Sequence, residues 1–145
     1  MPSPNEFPGR PVPAVAALVF RDGSVLLVKR RDEPNRGRWR PPGGSLELGE
    51  TVEEAAARET LEETGVTVRP VRVVDVRDFL DKDADGRVRW HYVLMNVLCD
   101  YVSGEPYPAS DADNARFIPL KELGEYEVTA TAQEALERAS RMRSP

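Results

Sequence analysis

Residues Gly44 to Val66 read GSLELGETVEEAAARETLEETGV, and this stretch decides the fold. Thr51 followed three residues later by Glu54 is a capping box, in which hydroxyl and carboxylate each satisfy a free backbone N–H of a first helical turn. Gly65 stands where a left-handed C-cap is wanted, so the pattern predicts a helix from Val52 to Thr64. At ~100° per residue, Glu59, Glu62 and Glu63 share one arc with the slim Val52 and Ala55. Ala56, Ala57, Thr60 and Thr64 form a second arc, suited to packing. Arg58 lies one turn from both Glu54 and Glu62 and is placed to hydrogen-bond both. Three carboxylates at i, i+3 and i+4 repel by roughly 0.2–0.5 kcal/mol per pair. A divalent cation reverses the sign of that term, and magnesium commonly links carboxylates to substrate phosphates. A merely solvated Glu-rich face has the same composition, so the helix alone leaves both readings open.

The wider spacing adds information. Gly44, Glu50, Arg58-Glu59, Glu62-Glu63, Gly65 and aliphatic Val66 stand at intervals that resemble the signature of the Nudix hydrolases, matching eight of its nine fixed positions. The exception is Thr60, where the family usually has a bulky aliphatic residue; the departure falls on the packing face. The approach through Gly37, Trp39, Pro42, Gly43 and Gly44 resembles the family's G-x-W-x-x-P-G-G, with Pro41 the less usual residue.

The resemblance implies an α/β fold, a Nudix-type α/β/α sandwich with a mixed β-sheet. It implies a pyrophosphohydrolase that cleaves a nucleoside diphosphate joined to another group. Its metal ligands would be the Gly44 carbonyl, Glu59, Glu62 and Glu63, holding Mg2+ with Mn2+ as a substitute. Glu59, Arg58 and Glu62 would be the catalytic residues, Glu59 alternatively as the base and Arg58 orienting the carboxylates. Glu50 would brace the loop before the helix. Some family members place the base in a loop outside the signature, which makes Asp111 and Asp113 candidates for a base or an extra ligand. The stretch ASDADNARFIPLKEL looks like the ADP-ribose pyrophosphatase group, pointing to ADP-ribose or a related nucleoside diphosphate sugar. The alternatives are a nucleoside triphosphate pyrophosphatase and a non-catalytic nucleotide sensor, the latter expected to have lost carboxylates that this chain keeps. A homodimer fits, because many short members pair.

Composition bounds the rest. With 145 residues, 40% apolar and 31% charged, the chain suits one domain with a proper core. Residues 14–145 form that domain, and Met1 to Pro13, with five prolines, reads as an irregular arm. A net charge of −5 argues against non-specific nucleic-acid binding. Arg30 and Arg40, with Arg31 and Arg38, are the cations near the signature that can hold phosphates. The single cysteine, Cys99, excludes an internal disulfide and reads as a small buried hydrophobe. No apolar run has the length of a membrane helix and no signal peptide is visible, so a cytoplasmic location is expected.

Along the chain, Ala14–Phe20 and Val25–Arg30 predict strands joined by an Asp22-Gly23 turn. Val66–Val76 predicts an edge strand broken near Pro70. Lys82–Arg87 predicts a second turn, before a long strand from Val88 to Val102. Within that strand Trp90, Tyr92, Leu94, Asn96 and Leu98 share a face. Phe79, Trp90, Tyr92 and Tyr107 are candidates to stack on a base, with core packing their ordinary use; His91 reads as structural. Ser103–Asn114 is a loop long enough to be functional. Ala115–Ile118 is a short strand, Pro119–Leu123 a helical turn, and Thr131 with Glu134 opens a helix to Arg141.

Overall fold

A computed structural model describes residues 4–107 and 112–143. Strands β1 (Val12–Arg21) and β2 (Ser24–Arg30) turn about Asp22 and Gly23, with Asp22 at φ 55°. They pair only through Phe20↔Val25 and Arg21↔Ser24 before parting. Short strands fill the gap: β3 (Trp39–Arg40) joins β2, and β4 (Gly43–Ser45) joins β1. The chain crosses between them at Pro41-Pro42, where the Pro42 carbonyl accepts a hydrogen bond from Ala17 N at 2.8 Å. The sheet is thus split, and the split is where the acidic helix meets it.

Strand β1 starts at Val12, earlier than its apolar run suggests, because Val12 and Pro13 pair in parallel with Tyr92 and Val93. Helix α1 spans Val52–Thr64, as its caps predict. Strands β5 (Thr67–Lys82) and β6 (Val88–Ser103) form a long antiparallel hairpin, with β5 at the sheet edge. The register slips around Pro70, then runs unbroken from Asp75↔Asn96 to Asp81↔Trp90, which carries β5 well past Val76. Strand β7 (Ala112–Pro119) lies antiparallel to β2 and is longer than the apolar Ala115–Ile118 suggests. A 3-10 turn (Leu120–Glu125) leads to α2 (Ala130–Met142). The cap of α2 is Thr129, whose hydroxyl accepts from Ala132 N at 3.3 Å, and not Thr131.

The order β3-β2-β1-β6-β5, with β1 and β6 parallel and the other pairs antiparallel, is a mixed sheet. Alternation along β1 sends its side chains to two cores. Leu18 and Phe20, with Leu27 and Leu98, pack on Ala135, Leu136 and Ala139 of α2. Ala17 and Val19, with Leu26, Val97 and Cys99, pack on Ala56 of α1 and on Val66. The result is the expected α/β/α sandwich. No helix among the described residues is long and apolar enough to cross a membrane.

Candidate active site

Local chemistry sets the helix first. Thr51 N donates to Glu54 Oε1 at 2.9 Å and Glu54 N to Thr51 Oγ1 at 3.1 Å, while Gly65, at φ 78°, donates to the Leu61 carbonyl. Such a cap stabilises a helix by about 1 kcal/mol. It also engages Glu54, which therefore makes no hydrogen bond to Arg58, contrary to the helical spacing. Arg58 turns instead to Glu50, through Nε and through Nη2 at 2.9 Å. Its Nη1 reaches Glu59 at 3.0 Å and Glu62 at 3.2 Å, and its Nη2 also donates to the Ser45 carbonyl at 3.3 Å. One guanidinium thereby ties the loop at Ser45 and Glu50 to the helix face.

The packing arc differs in detail from the helical-wheel reading. Ala55 is fully buried, with Ala56, Thr60 and Thr64, whereas Ala57 is partly exposed. Thr60 stands in for an aliphatic residue without an orphaned hydroxyl, since Oγ1 donates to the Ala56 carbonyl at 2.7 Å. Thr64 does the same to Thr60. Glu63 is also buried, at 3% exposure. A buried carboxylate needs donors, and it has them: Gly43 N donates to Oε1 at 2.8 Å, and Arg40 Nη2 lies 3.5 Å from Oε2. Arg40 further donates to the Pro41 and Gly43 carbonyls, so it clasps the β3–β4 crossing. Its Nε is buried with no acceptor among the described residues.

Gly44 faces Glu59 across a very short gap. A Cβ on Gly44 would lie 2.6–2.8 Å from the carboxylate atoms of Glu59. Burial pushes the Glu59 carboxyl above its ordinary range, Arg58 pulls it back, and Glu62 adds to the rise. Glu50 moves the other way, held below its ordinary value by its bond to Arg58. Arg58 is correspondingly raised, first by Glu50.

The donor set is carboxylate and carbonyl oxygen, which suits a hard divalent cation. Glu50, Glu59 and Glu62 share the single Arg58 guanidinium, and Glu63 lies beside Arg40, so a divalent cation would offset the repulsion among the carboxylates. The Glu59 carboxylate takes the space that a Gly44 Cβ would need, so the bare glycine brings this oxygen donor up to the loop. As the side chains stand, each of these carboxylates is turned to a guanidinium or a backbone N–H. No three acidic or imidazole or thiol groups among the described residues converge as a ready ligand cluster. A cation would therefore take over contacts that the arginines now make.

The other candidates are scattered more widely. Arg30 borders the same recess as Lys29, Arg31, Arg40 and Glu63, and its guanidinium donates to the Asp32 and Glu33 carbonyls. Asp111 lies outside the described residues. Asp113 falls on β7. His91 sits on β6 opposite Leu80. Phe79, Trp90 and Tyr92 adjoin one another, with neighbouring ring centroids 6.3 Å apart. Tyr107 lies against Gly65, where its ring occupies the space a side chain would need, and its N–H caps the Thr64 carbonyl at 3.0 Å. Two contacts had no signal in the sequence. Asn5 of the arm donates to Ser45 Oγ at 3.1 Å, and the Glu6 carboxylate pairs with Arg89 at 2.7 Å.

Comparison with known proteins bears on the family and the fold. The NUDIX domain family matches residues 10–139. The ADP-ribose pyrophosphatase of Methanocaldococcus jannaschii is 36% identical over 113 residues, covering 78% of this chain and 64% of that protein. The chain thus spans less than two thirds of that relative's length. Phosphatase NudJ of Escherichia coli K12 is 30% identical over 115 residues, 79% of this chain and 72% of the relative. A MutT NUDIX hydrolase from Burkholderia pseudomallei superposes with a TM-score of 0.77 at 32% identity, over 89% of this chain and 98% of that one.

Proposed function

The chain belongs to the Nudix family, and from that premise we propose that it is a divalent-cation-dependent hydrolase of nucleoside diphosphates joined to another group. In this reading the substrate is ADP-ribose or a related nucleoside diphosphate sugar, the cation is Mg2+, and the enzyme works in the cytoplasm, as a homodimer. The observation that carries it is the Glu59 carboxylate standing where a Gly44 side chain would lie, held beside Glu62 by Arg58. The name of the Methanocaldococcus relative supports the choice of substrate.

The Gly44 carbonyl, Glu59, Glu62 and Glu63 would hold the cation, which supplies charge neutralisation for the diphosphate and activation of the attacking water. Each residue of the chain has a distinct task. Arg58 keeps Glu59 and Glu62 side by side and fixes them to the loop through Glu50 and the Ser45 carbonyl. Glu63 and Arg40 hold the Gly43 backbone, so the neighbouring Gly44 carbonyl keeps its aim. The cations around the recess, Lys29, Arg30, Arg31 and Arg40, would receive the phosphate oxygens. In the alternative arrangement Glu59 takes the proton of the attacking water and leaves the cation to the Gly44 carbonyl, Glu62 and Glu63.

A hydrolysis screen over nucleoside diphosphate sugars, dinucleoside polyphosphates and nucleoside triphosphates tests this. Two monophosphates from ADP-ribose, lost with EDTA and restored by Mg2+, is the expected result. Pyrophosphate release from triphosphates alone would replace the diphosphate-sugar reading, and light scattering decides the dimer.

A further inference from the structure

Residues 4–11 precede β1 and form neither helix nor strand, yet they are tied down at several points. Phe7 N donates to the Arg89 carbonyl at 2.8 Å, and the Glu6 carboxylate accepts from Arg89 Nε at 2.7 Å. The Arg87 guanidinium stands 4.8 Å from the centre of the Phe7 ring. Among these anchors Phe7 holds a left-handed backbone, with φ 53°. A bulky residue keeps that conformation only where its surroundings enforce it. Burial of the ring is not the gain, since Phe7 is 46% exposed. What the turn achieves is direction. With Glu6 and Phe7 on the start of β6, it brings Asn5 to β4, where Asn5 Nδ2 donates to Ser45 Oγ at 3.1 Å. Pro4, Pro8 and Pro11 fix φ on either side of the turn, which stiffens the arm.

Ser45 is the joint between this arm and the acidic helix. It follows Gly44, ends β4 and pairs with Ala14. Its carbonyl accepts from Arg58 Nη2 at 3.3 Å, the guanidinium that also holds Glu50, Glu59 and Glu62. Alternation along β4 turns the Ser45 hydroxyl to the face opposite Glu59. Asn5 therefore holds the loop from one side and Arg58 from the other. The loop then runs out into solvent, with Leu48 fully exposed, after Leu46 N has donated to the Pro13 carbonyl at 3.0 Å. Tip and root of the arm both bear on the stretch that carries Gly44.

Resting on the hydrolase reading above, we propose that Asn5 is a positioning residue: through Ser45 it keeps the Gly44 carbonyl and Arg58 aligned for the cation and the diphosphate. The arm acts on the site without touching the substrate.

The test uses the full chain as wild type, Asn5→Ala, Asn5→Asp, Ser45→Ala, the double variant Asn5→Ala, Ser45→Ala, and Glu6→Gln at the far anchor. Each is melted calorimetrically. Amide exchange of residues 45–50 reads the loop, Mn2+ titration followed by electron spin resonance reads the cation site, and kcat and KM for ADP-ribose read turnover. Asn5→Ala should speed loop exchange and weaken Mn2+ binding by about fivefold, the usual consequence of losing one hydrogen bond. It should lower kcat and leave KM unchanged. Ser45→Ala should match it, and the double variant should be no worse than either, because the same contact is lost once. Asn5→Asp should stay near wild type, since the Ser45 hydroxyl can donate to a carboxylate. Glu6→Gln loosens the turn at Phe7 and should move the same readouts in the same direction. A merely structural arm would lower the melting temperature and leave loop exchange, Mn2+ affinity and kcat at wild-type values. That result, or losses that multiply in the double variant, overturns the proposal. Loop and Mn2+ responses without hydrolysis of any substrate sink the hydrolase reading alone. Hydrolysis with an unresponsive loop sinks the Asn5 assignment alone, and absence of both sinks both.

Discussion

Replacing Gly44 by alanine separates catalysis from folding more sharply than removing a carboxylate does. The new Cβ would arrive 2.6 Å from Glu59 Oε1, 2.7 Å from Cδ and 2.8 Å from Oε2. Ordinary contact begins at 3.4 Å, so the Glu59 carboxylate must retreat by roughly 1 Å. It is the far end of a flexible side chain, and the fold can absorb the shift. Misplacing a reacting group by that much costs about 100-fold in rate, or roughly 2.7 kcal/mol of barrier. We therefore expect Gly44→Ala to lose about two orders of magnitude in kcat with a melting temperature close to wild type. Gly43→Ala is the contrast, since its Cβ would overlap the Val15 carbonyl and crowd Ala16 Cα. Backbone cannot retreat so easily, and that variant should lose stability first. Steady-state release of monophosphates with Mg2+, beside calorimetric melting, reads both. The double variant Gly44→Ala, Glu59→Asp shortens the carboxylate and should recover part of the lost rate. A folded Gly44→Ala enzyme within threefold of wild type would refute the reasoning, because Glu59 would then not need its place beside Gly44.

Other outcomes follow from neighbouring contacts. Glu62→Gln, at an exposed side chain, should leave the melting temperature unchanged and cut turnover by orders of magnitude; an unaltered rate removes Glu62 from the ligand set. Glu63→Gln should cut turnover too, but it disturbs a buried acceptor of Gly43 N–H and Arg40, so urea titration should show a loss of about 1–3 kcal/mol. Thr60→Val gives up the hydroxyl's bond to the Ala56 carbonyl and should cost about 0.5–1.5 kcal/mol, whereas Thr60→Leu should overpack a fully buried site by about 1–3 kcal/mol, measured by the same titration. Burial pushes the Cys99 thiol up to about 12 from an ordinary 9.0. Its stabilising contribution is complete below pH 9 and lost as pH rises toward 12, so a thiol reagent at pH 8 should react only after denaturant is added; prompt reaction of the native protein would contradict its burial.

What could be read from the chain was mostly local. Thr51, Glu54 and Gly65 bound α1 because caps act within one turn, and Asp22-Gly23 turned the first hairpin for the same reason. Errors arose where two local solutions competed. Helical spacing offered Glu54 to Arg58, yet the cap engaged Glu54 and the loop supplied Glu50. Thr129 and Thr131 are both capable caps by residue type, and it is Thr129 whose hydroxyl accepts from Ala132 N. Long-range facts had no sequence signal at all. Nothing in Glu63 itself shows that a strand N–H will bury it, and nothing in Ala14–Phe20 names β6 as its parallel neighbour. The split of the sheet at Pro41-Pro42, which brings Arg40 to the helix, belongs to the same class.

The parallel pairing of β1 with β6 also governs the order of assembly. Residues Val12–Phe20 find their partners at Tyr92–Asp100, and the acidic helix lies in the chain between them. Closing so long a loop carries an entropic cost before any pairing offsets it, which slows folding. During synthesis the helix emerges well before its seat is complete, since Val97 and Cys99 have yet to appear beside Ala17 and Val19. A nascent chain ending before β6 would hold every signature residue and still lack the Val97 and Cys99 side of the core beneath the helix.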